Sequence, residues 1–368
     1  MTLAIYRRYR PATFGDLLGQ ELTARTLKEA AKQEKLAHAY LLAGPRGTGK
    51  TTTARLIAKI ANCETRAKDA KFRAEGEPCN HCTHCTEIDE GRSLDVIEID
   101  GASNRGIDEI RDLKNSIRLA PTSSLRKVFI IDEAHQLTPA AFNALLKSLE
   151  EPPPHIIMIL ATTEADRIPP TIISRTQQFY FRRVPRELVM QKLTRIAKEE
   201  VVDISGEALD LIAASGEGSF RDAESLLDQL ISFGGRRITL ADVEGMIGKV
   251  GFAKLSAFAG LLIEGDRKAA LAALAELSDA GYNLAQFTKD LIQYLRRVAV
   301  ITYSPAMRET LARELTADHI AQLAEHAKEF KDKHLELLKG LINAYSQMRY
   351  SQFPIIPLEV AIIENLKG

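Results

Sequence analysis

The chain has 368 residues, 45% of them apolar and 27% charged, with no Trp. That length and balance are ordinary for a soluble globular protein of two or three domains, each able to bury a core. Lys plus Arg and Asp plus Glu both number 49, and a net charge of zero argues against coating nucleic acid by bulk charge alone. Arg7, Arg8 and Arg10 form only a small basic cluster. Met1 to Tyr9 shows no apolar signal region, and no apolar stretch approaches the roughly 20 residues of a membrane span. A cytoplasmic protein with no membrane partner is expected.

In chain order, Tyr40–Ala43 reads as a strand, followed by a glycine loop. Lys50–Asn62 reads as a helix, with Ala54, Ile57, Ala58 and Ala61 at helical spacing. Asp95–Asp100, Val128–Ile131 and Ile156–Ala161 are further strands, and this alternation predicts βα units around a parallel sheet. Thr138 and Pro139 pair an N-cap with proline at the first helical position. Phe142, Leu145, Leu146 and Leu149 then share one face, and Pro152 to Pro154 stop the helix because proline lacks the needed N–H. From Arg182 to Ile247 the pattern is helical only, with Thr239 and Asp242 placed as a capping box. Gly248 to Gly251 marks a boundary. Phe252–Gly368 reads as all-helical, with amphipathic stretches around Leu271–Leu277 and His334–Ile342.

Gly44-Pro45-Arg46-Gly47-Thr48-Gly49-Lys50-Thr51 matches G-x-x-x-x-G-K-[ST] in full, with a strand before it and a helix after it. The glycines let the backbone turn so that successive N–H groups face one phosphate chain. The helix N-terminus adds partial positive charge. Lys50 is expected to reach the β- and γ-phosphates and the Thr51 hydroxyl to bind Mg²⁺, which makes ATP and Mg²⁺ the expected ligands. The buried strand Val128–Ile131 delivers Asp132 and Glu133 at its C-terminal end, where ligands sit in open α/β sheets. Asp132 would hold Mg²⁺ directly or through water, and Glu133 would polarise the attacking water as a general base.

The four cysteines are clustered: Cys63, then after fifteen residues Cys79-x-x-Cys82-x-x-Cys85. In a cytoplasmic protein such clustering favours metal over disulfides. Four thiolates can close a tetrahedral Zn²⁺ site with Zn–S near ~2.3 Å, leaving no open position, so the metal would be structural. His81 and His84 are alternative ligands, and an iron–sulfur cluster is the alternative group. The stretch Lys68 to Glu77 is polar and charged, so a metal would supply order that no local core can.

With these motifs the chain resembles the AAA+ ATPases of bacterial sliding-clamp loaders, the gamma/tau subunits of DNA polymerase III, from end to end. Tyr9-Arg10-Pro11, Phe14, Asp16 and Gly19-Gln20 are similar to the family's opening segment, which packs on adenine. The resemblance therefore implies Arg10, Pro11 and Leu18 as base-pocket residues. Leu160-Ala161-Thr162-Thr163 resembles sensor 1, with Thr163 preferred to Thr162 as the group that meets the γ-phosphate or the water. Ile173-Ser174-Arg175-Thr176 resembles the family's Ser-Arg-Cys motif, with Thr in place of Cys. The resemblance implies that Arg175 is a finger entering the neighbouring subunit's ATP site, a contribution of roughly 10³–10⁵ in rate in other NTPases. Gly218-Ser219-Phe220-Arg221-Asp222 resembles sensor 2, with Ser219 capping a helix and Arg221 folding back onto the same chain's nucleotide. Asp100 to Gly106, with Arg105, precedes a helical run starting near Ile107 and corresponds to loops that face primer–template DNA, without sequence specificity.

The resemblance also implies that the cysteine cluster is a zinc module. It implies an α/β P-loop AAA+ domain over 1–181 with a parallel sheet and the zinc module inserted at about 63–85. A small helical lid domain over 182–248 and an all-helical C-terminal collar domain over 249–368 would follow. The expected function is the ATP-dependent motor of a hetero-oligomeric ring that loads the sliding clamp on primed DNA during replication, with other loader subunits, clamp and primer–template as partners. A non-hydrolysing structural subunit, a hexameric branch-migration helicase and a nucleotide-switched adaptor are the rival readings.

Overall fold

The computed structural model describes residues 3–103, 113, 116–311, 315–348 and 350–366. The chain divides into two compact units, Met1–Val184 with Gly216–Ser225, and Pro185–Ser215 with Leu226–Gly368.

The first unit is built on a five-stranded sheet: β1 (Ala39–Ala43), β2 (Val96–Asp100), β3 (Lys127–Asp132), β4 (Ile156–Thr162) and β5 (Gln177–Tyr180). The strands lie in the order β2-β3-β4-β1-β5, and every pair is parallel. The period-2 rule splits their side chains between two cores. Tyr40, Leu42, Val128, Ile130, Ile157, Ile159 and Ala161 join α2 (Glu21–Lys32) and α3 (Lys50–Asn62) on one face. Leu41, Phe129, Ile131, Met158 and Leu160 join α7 (Pro139–Glu150) on the other. Helices on both faces explain why β1 and β4 are buried along their whole length.

Between α3 and β2 lie three short helices, α4 (Glu64–Lys68), α5 (Ala70–Arg73) and α6 (Thr83–Glu90), while α1 (Ile5–Arg8) opens the chain. The structure adds β5, which the sequence pattern did not announce. Only Phe179 of its four residues is buried, so it carries too little apolar signal. Thr138 caps α7 as its spacing predicts, accepting from the Ala141 N–H at 3.2 Å.

The second unit begins with the helices Arg186–Glu199 and Gly206–Ser215 and takes up most of Phe220–Gly234, then Leu240–Ile247. The helical-only reading of 182–247 needs correction. Asp203–Ile204 and Arg237–Ile238 form a two-stranded parallel ladder, too short to leave a periodic signature. The capping box at Thr239 and Asp242 forms, with the Thr239 N–H donating to Asp242 Oδ2 at 2.8 Å and the Asp242 N–H to Thr239 Oγ1 at 3.3 Å. From Phe252 on, the described elements are helices around one apolar core that includes Leu262, Leu291, Leu295, Leu341 and Ile362. No single helix among the described residues is long and apolar enough to cross a membrane.

Candidate nucleotide and metal sites

The loop from Gly44 to Gly49 leaves the C-terminal end of β1 and turns into α3. Gly44, Gly47 and Gly49 have φ of 148°, 72° and 106°, a region that side-chain-bearing residues rarely enter. Space demands glycine as well: a Cβ on Gly44 would sit 2.4 Å from the Phe181 carbonyl oxygen, and one on Gly47 1.8 Å from Ser219 Oγ. Thr48 Oγ1 donates to the Pro45 carbonyl at 2.8 Å and braces the turn. Lys50 is buried, and its Nζ donates to the Gly44 and Pro45 carbonyls at 2.7 and 2.8 Å. Burial lowers its pKa, against the pull of Glu133 and Asp132.

Two strand ends face this loop. Thr51 Oγ1 donates to Asp132 Oδ2 at 2.7 Å, so the two expected Mg²⁺ ligands already touch. The Glu133 N–H donates to Asp132 Oδ1 at 3.0 Å. Thr163 Oγ1 donates to Glu133 Oε2 at 3.0 Å, which brings the expected base and the expected sensor together. Thr162 is wholly buried and instead meets His135 Nδ1 through its hydroxyl at 3.1 Å. Thr162, the last residue of β4, and Thr163, the first beyond it, thus face different partners.

Residues 216–225 pack with the first unit, although the sequence reading places them inside 182–248. The cause is direct: the Phe220 N–H donates to the Gly47 carbonyl at 3.1 Å, and the Val184 N–H to the Gly218 carbonyl at 3.0 Å. Ser219 Oγ accepts from the Asp222 N–H at 3.2 Å and caps the helix Phe220–Gly234, leaving Arg221 in its first turn. The Arg221 guanidinium lies 5.1 Å from the centroid of the Tyr6 ring, a cation–π contact that local spacing does not signal. Arg7, and then Arg221, hold the Tyr6 phenol below its ordinary pKa.

In the opening segment, Arg10 and Pro11 are half-buried, and burial lowers the pKa of Arg10. Leu18 is half-buried too. Its neighbour Leu17 is the one against the loop, with Cδ2 3.8 Å from where a Gly49 Cβ would lie. Gln20, also buried, bonds both ways to the Arg182 backbone. Arg175 is held within its own chain: Nε donates to Glu150 Oε1 at 2.9 Å and Nη1 to the Thr171 carbonyl at 2.8 Å. Of the loop expected to face DNA, Gly101 to Ser103 are described and tied to Asp100 and Asp132. Asn104, Arg105, Gly106 and Ile107 lie outside the described residues.

The four cysteines converge, with all four sulfurs within 4.8 Å of one another and Cys79 Sγ 4.0 Å from Cys85 Sγ. A tetrahedral Zn–S₄ site needs sulfurs roughly 3.8 Å apart, so the donor set fits a single tetrahedral ion. A polynuclear cluster would have to seat its irons and sulfides between the thiolates and spread them. The Cys85 thiol, as hydrogen-bond donor, holds the Cys63 pKa down to about 4, and the same bond and burial push Cys85 up. The histidines turn elsewhere: His81 Nδ1 meets the Cys79 carbonyl at 2.8 Å, and His84 Nε2 faces Glu64 at 3.8 Å. The insertion is fastened to the sheet domain by the buried Lys59, 2.8 Å from Asp89, and by Glu77, which accepts from the Phe14 N–H at 2.7 Å.

Comparison with known proteins supplies the lineage. Residues 19–185 match the family described as DNA polymerase III, delta subunit. Residues 188–236 match the ATPase lid domain of the DNA polymerase III clamp loader subunit, and 238–366 match domain III of DNA polymerase III subunits gamma and tau. The DNA polymerase III subunit gamma of Buchnera aphidicola subsp. Acyrthosiphon pisum is 33% identical over 363 residues, 98% of either chain. The chain belongs to the gamma/tau family of DNA polymerase III subunits. Subunit tau of Bacillus subtilis, 40% identical over 361 residues, covers 98% of this gamma/tau chain, which spans only 62% of that relative. For Escherichia coli tau the figures are 38% identity, 82% of this chain and 46% of the relative. Among solved structures, the Bacillus subtilis DNA clamp loader delta protein is similar at a TM-score of 0.41 and 14% identity, over 94% of this chain and 99% of that one.

Proposed function

We propose that this chain is the ATP-dependent motor subunit of the DNA polymerase III clamp loader, which loads the sliding clamp onto primed DNA during replication. The observation that carries the reading is the union, at the C-terminal ends of β1, β3 and β4, of the phosphate loop with Thr51–Asp132 and Glu133–Thr163. That constellation can bind a triphosphate and activate water beside it.

In this reading Gly44, Pro45, Arg46, Gly47, Thr48 and Gly49 cradle the phosphates through main-chain N–H groups, and Lys50 neutralises the β- and γ-phosphates. Mg²⁺, when bound, spreads the developing phosphate charge, and Thr51 and Asp132 hold it. Glu133 takes a proton from the attacking water, and Thr163 orients it. Arg221 approaches the nucleotide of its own chain, from the segment tied to Gly47. Arg175 leaves Glu150 to serve the neighbour's site. Arg10, Pro11 and Leu18 border the base, and the contact of Leu17 with the loop supports adding it to that set.

The three family matches, at 19–185, 188–236 and 238–366, support dividing the chain at 1–181, 182–248 and 249–368 into nucleotide, lid and collar domains. Other loader subunits in a hetero-oligomeric ring, the clamp and primer–template DNA are the partners, in the cytoplasm. DNA would be held without sequence specificity. Zn²⁺ on Cys63, Cys79, Cys82 and Cys85 is structural, supported by the sulfur spacing.

The test is the ATPase rate of the full-length chain assembled with loader subunits. Clamp and primed DNA together should stimulate it. A rate indifferent to both, with ATP still bound, would favour the nucleotide-switched adaptor. No ATP binding would favour a structural subunit.

A further inference from the structure

His135 follows the two strand-end carboxylates and has no role in the reaction as derived so far. It is 6% exposed, yet both ring nitrogens have polar neighbours. Nδ1 lies 3.1 Å from Thr162 Oγ1 and 3.5 Å from Glu133 Oε2. Nε2 lies 3.1 Å from Glu164 Oε1 and 2.9 Å from the Gln136 side-chain nitrogen. Thr162 Oγ1 in turn accepts from the Glu164 N–H at 3.0 Å. All these partners sit at the ends of β3 and β4.

The backbone beneath explains the convergence. Glu133 has φ of +46°, a left-handed conformation that is uncommon for a non-glycine residue. The 3-10 turn Ala134–Gln136 follows at once, closed by the Gln136 N–H on the Glu133 carbonyl at 2.9 Å. The kink brings the Glu133 carboxylate and the His135 ring together against β4. Two rungs then join the strand ends, Glu133 to Thr163 and His135 to Thr162. A strained backbone of this kind persists only where its surroundings over-determine it.

We propose that His135 is a positioning residue for hydrolysis, fixing the end of β4 against the Glu133 carboxylate so that base and Thr163 share one geometry. The role acts through Thr162 and Nδ1; the Nε2 side, facing Glu164 and Gln136, orients the ring. The proposal rests on the ATPase reading above. Displacing a catalytic group by about 1 Å can slow a reaction about 100-fold without touching the binding contacts.

The experiment uses the full-length chain assembled with its loader partners, clamp and primed DNA, with kcat, KM and MgATP affinity measured together. His135→Ala should lower kcat about 10- to 100-fold while MgATP affinity changes less than about twofold. His135→Asn places an amide where Nδ1 lies and should recover most of that loss. His135→Gln, which reaches only the Nε2 position, should not. Parallel loss of affinity and turnover in His135→Ala, or an Asn variant no faster than the Gln variant, would overturn the proposal. Should melting curves show the Ala variant unfolded, the Asn and Gln pair decides the matter. Unimpaired His135→Ala beside normal wild-type turnover removes only this role. An unmutated assembly that hydrolyses no ATP removes the ATPase reading and this proposal with it.

Discussion

The interior strands β1 and β4 are buried from end to end, and at their C-terminal ends the phosphate loop is pinned to Thr162, Phe181 and Phe220 by main-chain contacts. In the cysteine insertion of the same unit, no apolar side chain from Glu64 to Glu77 is buried; the buried side chain there is that of Arg66, bonded to the Ala31 and Arg73 carbonyls. One region is held by a packed core, with buried polar groups such as Lys50 and Thr162 hydrogen-bonded within it. The other has four sulfurs where a core would be. Hydrophobic burial holds a loop without any ligand, whereas a thiolate cluster pays off only with a cation between the sulfurs.

Metal removal should therefore break the comparison most visibly. Elemental analysis of the purified chain should give one Zn per chain. Chelation, or Cys85→Ser, should free the amides of 63–90 to exchange while those of Ala39–Ala43 stay protected. Apparent zinc-binding energies in small modules are about 10–16 kcal/mol, enough to account for all of the order there. Iron, or no metal with an ordered insertion, would sink the account.

Lys50→Ala should act in the opposite sense, on binding and not on order. The buried ammonium bonds only to the Gly44 and Pro45 carbonyls among the described residues. Its loss should leave the melting temperature nearly unchanged. MgATP affinity should fall by about 2–5 kcal/mol, the usual cost of truncating one partner of a buried charge pair. Normal calorimetric binding by this variant would disprove the phosphate-loop assignment.

What could be read in advance divides along the same line. Lys50–Asn62, the strands β1 to β4 and the Thr138 cap are signalled by residues within a few positions of one another. The Cys-x-x-Cys steps are equally local. Strand β5, with a single buried residue, was invisible for want of apolar side chains. The attachment of 216–225 to Gly47, the Tyr6 ring under Arg221, and Glu150 beside Arg175 join residues far apart in sequence. Spacing carries no information about such pairs. His135 stands two residues beyond Glu133 in the chain, but nothing in that spacing signals its partners at Thr162 and Glu164.

Gly47→Ala sharpens the contrast at smaller scale. The added methyl would meet Ser219 Oγ at a φ of +72°. Strain of this kind costs about 1–3 kcal/mol. Thermal melting should report that loss, and MgATP affinity should fall with it, because the loop and the 216–225 segment move together. A variant that melts and binds like the parent would mean that the loop is not held by close main-chain approach.

The smallest effect is the most discriminating, because it applies one kind of change to both regions. Thr138 caps α7 in the packed domain, and Asp69 caps α5 in the insertion, accepting from the Lys71 and Phe72 N–H groups at 2.8 and 3.3 Å. Each cap, cut to alanine, costs about 1 kcal/mol of local helix stability. Helix α7 shares a core with β3 and β4, so Thr138→Ala should lower the global melting temperature by a few degrees, about what that energy predicts for a domain of this size. Helix α5 buries nothing, so Asp69→Ala should leave that temperature unchanged and raise exchange only at 64–77. Equal shifts in global melting for the two variants would mean that the insertion is cooperative with the sheet core. Its order would then come from Lys59–Asp89 and Glu77 as much as from the metal.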